Sequence, residues 1–181
     1  MSKFKKIILH IELRYLKLAA RVSYKYYLRK FPYYLSKLGV KFTGDIKNTG
    51  FIASSTKFDS IDYAKYIELG EETIISADVL FLVHDYSIAT ALRTIKKVKK
   101  GALPHFIKGI IIGNNCFIGA RSILLPGTKV GDNVIIGAGS IVKGIIPDNV
   151  VIAGNPAKIL KSIKDYGEYH LAKNDFLGSV E

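Results

Sequence analysis

The sequence predicts a mainly β chain wound into a parallel solenoid with a triangular coil, on three observations. The first is a six-residue period that runs without a slip from Ile112: IGNNCF, IGARSI, LLPGTK, VGDNVI, IGAGSI, VKGIIP. The second is the filling of its slots. The first slot is always aliphatic (Ile112, Ile118, Leu124, Val130, Ile136, Val142) and is followed by Gly113, Gly119, Gly131 and Gly137 in four units. The fifth slot is small or β-branched: Cys116, Ser122, Thr128, Val134, Ser140, Ile146. The third is what the period excludes, since a helical stripe recurs every ~3.6 residues and each interior glycine costs a helix about 1 kcal/mol. Short strands that turn at each unit and stack on their equivalents satisfy all three. Three units close a coil with the aliphatic slot pointing inward. Glycine serves the corner, by a positive φ or by close backbone approach.

The chain divides into residues 1–39, a basic helical segment; 40–156, the repeats with an insertion at 86–109; and 157–181, a C-terminal helix or tail. Over residues 3–31, Phe4, Ile7, Ile8, Ile11, Tyr15, Leu18, Ala19, Val22 and Tyr26 keep helical spacing. Pro32 ends or kinks that helix, and Tyr33–Leu38 can form a second before Gly39. The segment is no transmembrane span, its uncharged runs falling far short of ~20 residues. Glu12 and Arg14 also interrupt any signal-peptide core. The apolar stripe either caps the solenoid or a neighbouring subunit, or lies on anionic lipid.

From Val40 a looser repeat begins, VKFTGD, IKNTGF, IASSTK, FDSIDY, with inward slots at Val40, Ile46, Ile52 and Phe58. It slips around Ala64–Glu68 and resumes at Leu69 as LGEETI, ISADVL, FLVHDY. At Tyr86 it stops, to return near Ile110. Ala89–Val98 of the insertion can be helical, ended by Gly101 and Pro104. Insertions in a solenoid leave at a corner and land on the functional face. Past Pro156, Ala157–Lys164 reads as a short helix or an exit strand.

A chain of 181 residues, 49% hydrophobic, holds a single domain with a substantial core. Its one cysteine, Cys116, fills an inward slot, which excludes a disulfide framework and suits a reducing cytoplasm. The net charge of +12 is concentrated: residues 1–40 hold ten Lys and Arg against Glu12, and residues 86–108 hold six more with no acid. Anionic partners follow at two places: a membrane surface, a phosphate-bearing cofactor or a nucleotide-linked sugar. Nucleic acid is not indicated, because no recognition motif accompanies the charge.

The repeats resemble the hexapeptide-repeat acyltransferases over roughly residues 40–160. The closing IGAGSIVKGIIPDNVVIAGNP, with AK following, is similar to the ending of the family's acetyl-coenzyme A-dependent sugar O-acetyltransferases. The resemblance implies a left-handed parallel β-helix that trimerises, although parallel crossovers are otherwise right-handed. It also implies acetyl-coenzyme A as co-substrate, with its pantetheine arm in the groove between subunits, and no metal.

Acyl transfer from a thioester needs a base for the acceptor's proton, a donor for the oxyanion, and a site holding both substrates. Histidine suits the base, its unperturbed pKa of about 6.5 lying near working pH. His84, in LFLVHDYS, resembles the family's catalytic histidine, and Asp85 beside it can orient the ring or bind a sugar hydroxyl, as a backbone carbonyl also can. Direct transfer without a covalent enzyme intermediate follows. Matched to the family's cofactor contacts are Gly119 and Ala120 in IGARS, Gly137 and Ala138 in IGAGS, and Lys158 in GNPAK. Relatives often read IVTKDIP where this chain reads IVKGIIP, so Lys143 stands one position early and Gly144 takes the usual lysine's place.

The function expected is O-acetylation of a glycan or other small-molecule sugar acceptor, in the cytoplasm or at the membrane's inner face through residues 1–31. N-acylation of a nucleotide-linked amino sugar and a non-catalytic trimeric scaffold are the alternatives. The zinc carbonic anhydrases share the solenoid but need three converging histidines, and of His10, His84, His105 and His170 only His84 lies in the repeats.

Overall fold

The first-slot residues form one continuous apolar column in the computed structural model, which describes residues 2–95 and 97–178. Lys96, one of the six insertion cations, and the last three residues of the 157–181 segment lie outside the described residues. Three stacks of short strands make the walls. The first sheet stacks Lys41–Phe42, Ile67–Leu69, Ile110–Ile112, Lys129–Val130 and Ile145–Ile146, all parallel. The second stacks Ile74–Ile75, Phe117–Ile118, Ile135–Ile136 and Val150–Gly154 in parallel, then Ala157–Ser162 antiparallel. The third stacks Lys57–Phe58, Leu80–Phe81, Ile123–Leu124 and Ile141–Val142. Each inward residue sits on its equivalent: Val130 on Ile112, Ile136 on Ile118, Val142 on Leu124.

The fifth slot is small because it is a hydrogen-bonding slot. Ser122 Oγ donates to Gly137 O at 3.1 Å and Thr128 Oγ1 to Val142 O at 3.0 Å, joining one coil to the next. Cys116 behaves likewise, its Sγ lying 3.1 Å from Gly131 O. Burial pushes this thiol up to about 11, which fits a core group and not a nucleophile.

The corner glycines work by close approach. A Cβ on Gly119 would lie 2.4 Å from Ala138 N in the next coil. The positive φ falls in the fourth slot instead, at Asn115, Arg121, Asn133, Gly127 and Gly139 among others. Gly119→Ala is therefore expected to lower stability by about 1–3 kcal/mol through overpacking. Gly139→Ala, with nothing within 4 Å of its Cβ but φ 70, costs about 1 kcal/mol of backbone strain. Thermal unfolding of the two variants tests this ranking.

Three expectations change. The unit VKGIIP contracts: Gly144, at φ 88, turns the corner early, so Ile145–Ile146 already form the next strand of the first sheet and Ile146 is a first-slot residue. Ile46 does not occupy a strand slot, because Asp45 caps a single 3-10 turn, Ile46–Asn48. The slip before Leu69 is another such turn, Ala64–Tyr66.

The N-terminal segment is a helical hairpin, not one helix. Helix α1, Lys3–Val22, stops at Ser23, whose N–H caps Ala19 O while its Oγ accepts the Tyr26 N–H that opens α2, Tyr24–Leu38. Pro32 lies inside α2. The hydrogen bond it removes is outweighed by packing of Tyr27, Phe31, Tyr34 and Leu35, all buried, over the first coils, with Tyr27 Oη donating to Ile52 O at 3.0 Å. The α1 stripe does not cap the solenoid of its own chain. Leu9 and Leu16 are the buried pair, with Leu13 and Ala20 beside them, while Phe4, Ile7, Ile8, Ile11, Tyr15, Leu18 and Val22 face outward. Tertiary packing selected the second, shorter apolar face. None of the described helices is long and apolar enough to cross a membrane.

In the insertion, α3 covers Ser87–Thr94, shorter than the 89–98 span suggested by its sequence. Beyond the exit strand Ala157–Ser162, α4 runs Ile163–Lys173.

Candidate active site

Asp59 follows the third-sheet strand Lys57–Phe58 with φ 51, a left-handed turn that aims its carboxylate at the coil stacked above. There Oδ2 accepts the Val83 N–H at 2.7 Å and the His84 Nδ1–H at 2.8 Å, while Oδ1 accepts the Ser60 N–H at 2.6 Å. The Asp59 side chain is only 2% exposed and that of His84 23%. A carboxylate only accepts, so Nδ1 carries a proton, and of the two neutral tautomers this contact selects the one with its lone pair on Nε2. Nε2 has no hydrogen-bond partner among the described residues.

The insertion closes around this ring. His84–Asp85 pairs antiparallel with Phe106–Ile107, so the excursion leaves and returns at one corner, with the Lys108 N–H donating to Val83 O. That hairpin delivers His105. Its Nδ1–H donates to Leu103 O at 3.1 Å, leaving Nε2 to accept the Tyr63 hydroxyl at 3.1 Å. Tyr63 stacks on His84 with centroids 4.6 Å apart, and Tyr86 meets it edge-on at 5.3 Å. Asp59, Tyr63, Tyr86 and His105 are thus site residues that sequence reasoning missed. Asp59 and Tyr63 lie in FDSIDY, the last loose unit before the slip at Ala64, and nothing in the repeat pattern singles them out.

Asp85 does not orient the imidazole. Successive strand residues point to opposite faces, and its Oδ1 instead accepts the Ser87 N–H at 2.7 Å at the start of α3. That N–H, then the Ser87 hydroxyl, holds its carboxyl below the usual range, with the positive charge of Lys143 assisting.

The residues matched to a cofactor site fall at two corners of the prism. His84, Asp85 and Lys143 share the third-to-first corner, each following a third-sheet strand. Gly119 and Ala120, then Gly137 and Ala138, stack at the second-to-third corner, where the Gly139 N–H donates to Ala120 O at 2.8 Å. Lys158 joins them, paired with Ala153, whose Cβ lies over Gly137. Within one chain a full side of the prism separates the groups, six residues or roughly 20 Å at ~3.3 Å per residue.

Behind Asp59, a cavity of about 660 Å³ opens between the outer face of the first coils and the hairpin of α1 and α2. Lys6 closes its edge by pairing with Asp62. Among the described residues no three His, Cys, Asp or Glu side chains converge in a metal-binding group.

Residues 109–143 match the family model described as the hexapeptide repeat of succinyl-transferase. Over 142 residues the chain is 41% identical to Protein CapG of Staphylococcus aureus, covering 78% of this chain and 77% of that protein. It is 36% identical over 108 residues to the galactoside O-acetyltransferase of Escherichia coli K12, covering 60% of this chain and half of that enzyme. A solved hexapeptide-repeat acetyltransferase of Vibrio cholerae O1 biovar eltor, complexed with acetyl-coenzyme A, matches with a TM-score of 0.59 at 20% identity, covering 87% of this chain and 88% of that one. The coil is accordingly the left-handed parallel β-helix of these proteins.

Proposed function

Because the chain belongs to the hexapeptide-repeat acyltransferase family, we propose that it is an acetyl-coenzyme A-dependent O-acetyltransferase acting on a sugar hydroxyl of a polysaccharide-type acceptor. The observation that carries this reading is the Asp59–His84 pair, which engages Nδ1 and leaves Nε2 without a partner among the described residues at a partly exposed corner. In the reaction Nε2 takes the acceptor hydroxyl's proton as that oxygen bonds to the acetyl carbonyl carbon. The carbonyl electrons move onto oxygen and return as the carbon–sulfur bond breaks. The imidazolium then gives its proton to the departing thiolate, restoring neutral His84. Asp59 holds the ring and stabilises its transient charge.

A homotrimer is part of the same proposal. The His84 corner and the Gly119–Gly137 corner stand a prism side apart in one chain, so a groove between two copies is the arrangement that lets both face one thioester. Lys158 of one copy and Lys143 of the next then supply positive charge for the cofactor's phosphates. We place the enzyme in the cytoplasm, with residues 1–31 in peripheral contact with the membrane. The exposed Lys97, Lys99, Lys100 and Lys108 of the insertion favour a second reading, N-acylation of a nucleotide-linked amino sugar whose diphosphate they would meet.

Titration calorimetry should show saturable acetyl-coenzyme A binding with one site per chain. Thiol release on adding sugar alcohols rather than nucleotide-linked amino sugars then separates the two acceptor classes. Absence of binding would leave a non-catalytic solenoid.

A further inference from the structure

We propose that the outward face of α1 is a docking surface for an anionic lipid bilayer, with the helix axis lying in the membrane plane. The inference deepens the peripheral-contact reading, on which it rests, and is independent of the reaction. Phe4, Ile8, Ile11, Tyr15, Leu18 and Val22 recur at intervals of three or four and are between 47% and 91% exposed. Seven outward side chains, Ile7 included, are far more than scattered surface apolar residues account for. The opposite face is already used against α2 and the first coils through Leu9 and Leu16. A helix satisfied on one apolar face and bare on the other calls for a second apolar phase.

Charge says which phase. Lys3, Arg14 and Arg21 follow the stripe along one edge, and none of them forms an ion pair among the described residues. Glu12, the only acid of α1, is occupied by Lys37 at 2.5 Å. Another copy of the chain is a poor match for that edge. Among the described acids, only Glu68, Glu72, Asp78 and Asp165 have carboxylates free of hydrogen bonds and ion pairs. An anionic head-group layer offers an apolar phase and a sheet of negative charge side by side. A helix of twenty residues lays roughly 30 Å of stripe on it.

The test is co-sedimentation of the full chain with phosphatidylcholine vesicles containing roughly one third phosphatidylglycerol, against pure phosphatidylcholine. We expect partitioning about tenfold stronger on the anionic vesicles, weakened by added salt. Ile11→Glu with Leu18→Glu, and separately Arg14→Glu with Arg21→Glu, should each cut it by about tenfold or more. Circular dichroism and acetyl-coenzyme A calorimetry on the same variants verify that the fold is intact. Equal, weak partitioning of the parent chain on both vesicles would overturn both this proposal and the peripheral reading. Strong anionic binding that survives the Ile11 and Leu18 changes would overturn the assigned face alone. If those changes instead dissolve an oligomer in sedimentation velocity without altering vesicle binding, the face belongs to a second copy and the proposal fails.

Discussion

His84→Ala is expected to lower kcat by about a thousandfold, within the range that positioned general bases supply. The ring is held from Nδ1 and stacked on Tyr63, so its removal leaves the solenoid column untouched. Thermal unfolding and oligomer size should stay as in the parent chain, and acetyl-coenzyme A should bind with similar affinity. Stopped assays of thiol release at saturating acetyl-coenzyme A make the measurement. Turnover within a few-fold of the parent chain would remove His84 from the reaction and leave the family fold unaffected.

Asp59→Asn tests a positioning residue, and its predicted effect is nearly as large. Oδ2 accepts two N–H groups and Oδ1 a third, so an amide in either orientation sets one donor against another. The lost negative charge also leaves the imidazolium of the transition state less stabilised. A fall in kcat of about a hundredfold is expected, with the acetyl-coenzyme A KM unmoved. Asparagine tolerates the left-handed backbone at φ 51, so the fold is preserved. The opposed donors lower the unfolding temperature whatever the role, so kcat decides, and a merely structural role would spare it. Asp59→Ala goes further, orphaning the nearly buried Val83 N–H at about 1–3 kcal/mol of stability.

How much was legible follows from where the period holds. Between Ile112 and Val142 the slots alternate so strictly that inward residues, strands and corners can be read off one line of sequence. A one-residue shift there would bury Gly and expose Ile. Before Leu69 the units still stack, but 3-10 turns at Ile46–Asn48 and Ala64–Tyr66 break the count, so the pattern gives no address for Asp59 or Tyr63. His105 was out of reach for a different reason. Its approach to His84 depends on an antiparallel pairing across the insertion, and no local pattern encodes a contact that closes a loop of that length. Asp85 attracted attention by adjacency, which in a strand points a side chain away from its neighbour. In α1, periodicity identified one apolar stripe, and packing against α2 covered a shorter face, Leu9, Leu13, Leu16 and Ala20, that the period did not single out.

The hairpin over the first coils and the reversed strand Ala157–Ser162 have one further implication. A pile of identical parallel turns has no internal reason to terminate, and one molecule's last turn is a ready template for another's first. Here the near end is lidded by aromatic side chains with Tyr27 tied to Ile52 O, and at the far end the chain doubles back on its own edge. Shortened by its first 39 residues, the protein should associate through the bared near end while the reversed strand still closes the far one, so what looks like decoration is what keeps the particle finite.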